Sequence, residues 1–200
     1  MFYQYKRECR GMDYRELNRE SRQTNLLRSA IYWITDLAAV AVLAAFMVLF
    51  FCERVTVTGH SMEPELTAGD VVLINQVQYH FQNPERFDVI VFEKENDGAV
   101  KAYVKRVIGL PGETVQIINE TIYINGTPLS AEGLSHVTLS GLAAEPVTLG
   151  SDEYFVLGDN RDSSEDSRFA NIGNVRREEI RGCIWFRIAP FKDLGQISHP

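Results

Sequence analysis

The sequence predicts a mainly β protein: an antiparallel β-domain carried behind one apolar N-terminal helix. Three observations lead there. Residues 37–52, "LAAVAVLAAFMVLFFC", are 16 positions without a charge. Beyond them come short runs rich in β-branched and aromatic residues, bounded by Gly, Pro and Asn turn signals. No segment of helical periodicity intervenes, and strands spaced in that way favour antiparallel pairing.

Residues 1–30 come first, with seven Lys/Arg against four Asp/Glu. Residues 11–28 are polar and compatible with a helix that has no core face. The apolar run that follows spans about 24 Å as a helix, short of a bilayer core of about 30 Å. Extended back over "IYWITD" to Ile31 it reaches 22 residues, enough to cross. Residues 31–52 are therefore expected to be a transmembrane anchor, with Asp36 near the interface. A removable signal peptide fits poorly, because the apolar run exceeds about 7–15 residues and "FFCERV" has no small-x-small site. A buried core helix is the competing reading; apolar residues all round the helix count against it. The basic residues ahead of the span place the N-terminus in the cytoplasm and residues 53–200 outside the cell membrane.

Within 53–200, "ERVTVTG" alternates, "GDVVLINQVQY" is a second run and "RFDVIVFEKE" a third, turning at "NDG". "AVKAYVKRVIGL" is a fourth, closed by "PGE". "TVQIINETIYINGTPL" reads as a hairpin turning at Asn119-Glu120 and ending at "NGT". Residues 130–150 are weakly patterned, "EYFVLGDN" is a strand entering a polar loop, and "IRGCIWFRIAPF" is the last strand.

Charge narrows the function. From residue 53 onward 13 Lys/Arg face 22 Asp/Glu, a balance of −9. A domain so acidic repels phosphate, so no nucleic-acid partner is expected. Cys9, Cys52 and Cys183 form no CxxC pair and no even framework, which argues against thiolate metal sites and a disulfide scaffold.

"TGHSMEPEL" (58–66) poses the chemical question. A serine attacks an acyl carbon only if a neighbouring group takes its proton. His60 adjoins Ser61, but adjacent side chains in an extended segment point to opposite faces. His80, His136 and His199 have no accompanying acid pattern, although a triad assembled from distant positions stays open. The GxSxG elbow fails because Glu63 stands at the final glycine. Lys105 is the other option. Set among Tyr103, Val104, Val107 and Ile108, it can be desolvated, which lowers its pKa and frees a neutral amine to act as base. Taken alone, the segment reads better as an ordinary strand lysine with its head in water.

Four motifs occur in order behind the anchor: "GHSMEPEL" (59–66), "GDVV" (69–72), "KRVIGLPGE" (105–113) and "GDNRDSSEDSR" (158–168). Together, over residues 31–187, they resemble the bacterial type I signal peptidases. The resemblance implies Ser61 as nucleophile, Lys105 as general base and Ser164 as a hydroxyl that hydrogen-bonds and orients the lysine. It implies Asp166 and Arg168 as a supporting ion pair and gives Asp159 and Arg106 structural roles. It also implies a coiled antiparallel β-barrel-like catalytic domain with a small β insertion. Only 44 residues, 114–157, separate the lysine motif from the last one, so the insertion, about 114–152, is short, as in the Gram-positive form. One departure stands out. Some members carry a serine two residues before the nucleophile to help hold the oxyanion; here that position is Gly59. The Ser61 backbone N–H remains as one donor, and the source of a second is open.

The implied substrates are exported preproteins cut after a small-x-small sequence beside the lipid bilayer. They are expected to lie extended against enzyme strands. Val57, Met62, Leu66, Tyr103 and Val104 are the expected wall of the pocket for the small side chain, with ordinary core as the alternative for each. No cofactor or metal is implied. Two other readings compete. A LexA-like self-cleaving Ser-Lys protein would need a DNA-binding domain where residues 1–30 are too few. A catalytically silent membrane-tethered binding module would not need the intact Ser61 and Lys105.

Overall fold

The computed structural model describes residues 14–76, 79, 82–96, 98–129 and 137–197. His80, His136 and His199, weighed above as bases, lie outside the described residues, as do Cys9 and the start of the basic segment. The chain divides into two compact units, Met1–Leu49 and Phe50–Pro200.

In the first unit one helix dominates, α1 (Tyr14–Phe51). Its stretch Leu27–Phe46, mean hydropathy 1.7 with no residue buried, is long and apolar enough to cross a membrane. The helix ends at Phe51, and the next residue, Cys52, opens the first strand.

The strands are β1 (Cys52–Thr56), β2 (Val71–Asn75), β3 (Val89–Asn96), β4 (Ala99–Gly109), β5 (Thr114–Ile118), β6 (Thr121–Ile124), β7 (Thr127–Pro128), β8 (Val147–Thr148), β9 (Glu153–Leu157), β10 (Val175–Arg176), β11 (Ile180–Ala189) and β12 (Gly195–Gln196). The larger sheet runs β1-β2-β11-β3-β4-β9-β10, with β12 on β11; the smaller runs β7-β6-β5-β8. Every pairing is antiparallel. The expected mainly β antiparallel fold is therefore present. Among the described residues the larger sheet stays open between β1 and β10 rather than closing into a barrel.

Local chemistry explains the smaller sheet. Asn119 and Glu120 both have positive φ (48° and 64°), as do Asn125 and Gly126 (51° and 78°). Two consecutive positive-φ residues make the turn whose twist matches a tight hairpin. Alternation then buries Val115 and Ile117 and leaves Ile118 exposed.

In the larger sheet alternation sorts residues between apolar clusters. Val89 and Val91 of β3 pack with Val57, Met62, Leu66 and Ile184. Ile90 and Phe92 face the other way, onto Val107, Tyr154 and Val156. Phe155 and Leu157 of β9 join Val115, Ile117 and Ile122 of the smaller sheet. The last long strand, β11, inserts between β2 and β3. Its Gly182 is required by close approach: a Cβ there would meet Ile74 Cγ2 at 2.6 Å and the Asn75 carbonyl oxygen at 2.7 Å.

Candidate active site

The segment joining β1 to β2 carries Ser61. Its neck is pinned by the Val57 N–H donating to the Asp70 carbonyl at 2.8 Å and the Gly69 N–H to the Val57 carbonyl at 2.9 Å. The Asp70 carboxylate accepts from the Thr67 N–H at 3.0 Å and from Arg187 Nη1 at 3.0 Å. Met62 and Leu66, 1% and 0% exposed, plug this loop into the core, with the Leu66 N–H on the Met62 carbonyl. Burying two such side chains contributes about 3–6 kcal/mol, enough to hold a short loop in one conformation.

Lys105 comes from β4, hydrogen-bonded on one side to β3 and on the other to β9. It is 3% exposed, and its Nζ donates to Ser61 Oγ at 2.8 Å. Burial lowers its pKa to about 8, against an opposing pull from Asp166, Glu165 and Asp159. The Tyr103 ring centroid lies 6.0 Å from Nζ.

The 158–168 loop packs behind this pair. The Asn160 N–H donates to the Ser61 carbonyl at 3.1 Å. Gly158 occupies the tightest point: a Cβ there would meet Ser164 Oγ at 2.2 Å and the Ser61 carbonyl oxygen at 2.4 Å. Inside the loop, Arg168 Nε and Nη2 donate to the two Asp166 oxygens at 2.8 and 2.9 Å, and neither side chain is exposed. The spare donors of Arg168 reach the Leu139 and Arg161 carbonyls, and the Gly158 N–H donates to Asp166. With its hydrogen-bonding capacity this well filled, a buried pair is tolerated. Arg106 grips Asp159 with two bonds of 2.8 and 2.7 Å and donates to the Phe87 carbonyl.

The structure thus brings Ser61, Lys105, Ser164, Asp166, Arg168, Asp159 and Arg106 into one region. Ser164 differs from expectation in one respect. Its hydroxyl is buried but has no hydrogen-bond partner among the described residues, so the anticipated bond to Lys105 is not formed. The Lys105 amine is bonded to Ser61 Oγ. Arg161 is likewise buried, with Nε and Nη1 unpartnered among the described residues. Gly59 has φ +86° with open space around its Cβ position, so conformation rather than crowding favours glycine there.

A cleft of about 350 Å³ opens onto Ser61 and Lys105. Val57, Met62, Tyr103 and Val104 line it. Leu66 does not; the turn from Met62 folds it beneath the loop into the core. Sequence reasoning missed Val91, Ala102, Ser163 and Glu165. Alternation along β3 assigns Val91 to one of two faces, and only its pairing opposite Val104 says which face meets the cleft. His60 also lines the cleft, but its Nδ1 is bonded to Glu63 Oε1 at 2.7 Å rather than to Ser61.

A hydroxyl held against a buried amine of lowered pKa, on an antiparallel β-domain, is an arrangement suited to acyl transfer with an amine as base. The family described as Signal peptidase, peptidase S26, matches residues 30–189. A signal peptidase I of Leptolyngbya laminosa is 36% identical over 173 residues, covering 84% of this chain and 83% of its own. One of Bacillus licheniformis is 33% identical over 184 residues, covering 88% of this chain and 97% of its own. A crystal structure of a signal peptidase I from Enterococcus faecalis is 38% identical, covers 51% of this chain and 97% of its own, and gives a TM-score of 0.42. The chain belongs to the signal peptidase family, peptidase S26.

Proposed function

We propose that this enzyme, a serine endopeptidase that removes signal peptides from preproteins, works through a Ser61–Lys105 dyad. The observation that carries the dyad is the 2.8 Å approach of a 3% exposed lysine to a serine hydroxyl. Neutral Lys105 takes the Ser61 proton as Oγ attacks the scissile carbonyl carbon. The carbon–nitrogen bond then breaks, and the lysine ammonium passes its proton to the leaving amine. Water attacks the acyl-enzyme, again losing a proton to Lys105, which returns it to Oγ as the new carboxyl product leaves. The Ser61 backbone N–H supplies one oxyanion donor. Ser164 supplies a hydroxyl to Lys105 once Oγ has become an ester oxygen and no longer holds the amine. Asp166 with Arg168, and Asp159 with Arg106, keep the loop behind Ser61 rigid. The small side chain before the cut fits among Val57, Met62, Val91 and Val104.

The domain plan follows: residues 1–30 cytoplasmic, 31–52 the single-pass bilayer anchor, and 53–200 the extracytoplasmic catalytic domain, with an insertion at about 114–152. Its support is the apolar stretch Leu27–Phe46 and the basic residues before it. The acidic balance of 53–200 supports a role without nucleic acid. The test of function is cleavage of a preprotein by detergent-solubilised protein, with N-terminal sequencing of the product. A single cut after a small-x-small site that disappears in Ser61→Ala is expected. Protease added to intact spheroplasts is expected to digest epitopes beyond Glu53 and spare those before Arg28; the opposite pattern overturns the orientation.

A further inference from the structure

We propose that Glu165 is a specificity-determining residue: its carboxylate favours substrates that carry a Lys or Arg beside the small residues of the cleavage site. The inference rests on the Ser61–Lys105 reading of the cleft. Glu165 sits between Ser164 and Asp166, both buried, yet is itself exposed and lines the cleft that holds Ser61 and Lys105. The neighbouring carboxylates are already matched, Asp166 with Arg168 and Asp159 with Arg106. Glu165 makes no ion pair among the described residues, and Asn171 Nδ2 reaches it only at 3.4 Å.

Among the described residues, Glu165 is the one acidic side chain lining this cleft. His60, also in the lining, is bonded to Glu63 outside it. Once Lys105 is neutral, as a base must be, no Lys or Arg among the described lining residues offsets the Glu165 charge. An extended substrate turns alternate side chains in opposite directions. The small residues at the first and third positions before the cut fill the apolar wall. The side chain between them turns away from that wall, and it and those just after the cut are the ones left free to reach the polar lining residues Ser163 and Glu165. A cation there gains a partner without a desolvated acid having to be opened.

The experiment uses a peptide set built on one cleaved sequence, with a single Lys or Glu at the second position before the cut and at the first and second after it. kcat/KM is measured for full-length wild type, Glu165→Gln and Glu165→Lys in detergent at low salt. Each variant is read as its own Lys/Glu ratio, so a general loss of activity, or a changed proton affinity of Lys105, cancels. Wild type should favour Lys by about 3- to 20-fold at one or more positions, the scale of an exposed attraction combined with the matching repulsion. The ratio should fall towards one in Glu165→Gln, invert in Glu165→Lys and shrink with added salt. A wild-type ratio below twofold at all three positions, or a ratio unchanged in Glu165→Gln, overturns the proposal. Cleavage that survives in Ser61→Ala overturns the dyad instead, and is seen before any ratio is compared.

Discussion

Lys105 Nζ lies 2.8 Å from Ser61 Oγ, although the two residues are 44 positions apart and come from a strand and a loop. The loop is fixed by Met62 and Leu66 in the core and by the Asn160 N–H on the Ser61 carbonyl; the strand is fixed by β3 and β9. Both partners are therefore preorganised, which is what proton transfer from a hydroxyl requires.

Activity should rise with pH. The base works only when neutral, and burial sets its pKa at about 8. Below that value kcat/KM should fall roughly tenfold per pH unit, and above it level off. Lys105→Arg keeps the charge but has no accessible neutral form, so a folded variant should lose essentially all cleavage. Substantial activity in that variant, measured on the same preprotein, removes the lysine base.

Lys105 should also cost stability. Its folded pKa of about 8 lies below the ordinary 10.5, so between those values the unfolded chain binds more protons and stability rises with pH. Below pH 8 the full penalty, roughly 3 kcal/mol, is present. Lys105→Met should be more stable than wild type at pH 7 by about that amount. The gap should close from pH 8 to 10.5, as followed by denaturant unfolding at each pH.

Ser164→Ala should separate function from folding. The buried hydroxyl has no partner among the described residues, so its removal should leave the melting temperature unchanged or slightly raised. If the hydroxyl receives Lys105 after Ser61 is acylated, kcat should drop about 10- to 1,000-fold. Unaltered kcat assigns Ser164 to packing alone.

Gly158→Ala should inactivate through geometry. The added Cβ falls 2.4 Å from the Ser61 carbonyl oxygen and 2.2 Å from Ser164 Oγ, so the backbone under the nucleophile must shift. A displacement near 1 Å costs about a hundredfold in rate. Labelling by a serine-acylating probe should slow in proportion.

Asp166→Asn leaves the Arg168 guanidinium buried without its counter-charge. The expected loss is about 3–5 kcal/mol, read as a fall in denaturation midpoint. Asp70→Asn, on an aspartate that also meets exposed backbone turns and a half-buried Arg187, should cost less.

Short-range physics made much of this protein legible in its sequence. The charge-free span shows as helix because its composition alone sets it apart; the turn at Asn125-Gly126 shows because Asn and Gly tolerate positive φ, and that at Asn119-Glu120 because apolar alternation breaks there and resumes. The mainly β fold follows from alternation, while Ser61 and Lys105 stand out through the four ordered motifs and the resemblance they carry, since a strand lysine taken alone reads as solvated. The tertiary structure decided the rest. It placed the late strand β11 between β2 and β3, and it buried Met62 and Leu66 in one core cluster with only Met62 also lining the cleft. It left the Ser164 hydroxyl unpartnered and brought Glu165 to the cleft wall. These outcomes depend on which distant strand pairs with which and which of two alternating faces is covered. A period of two residues is the same whichever partner is chosen, so only long-range packing selects between them.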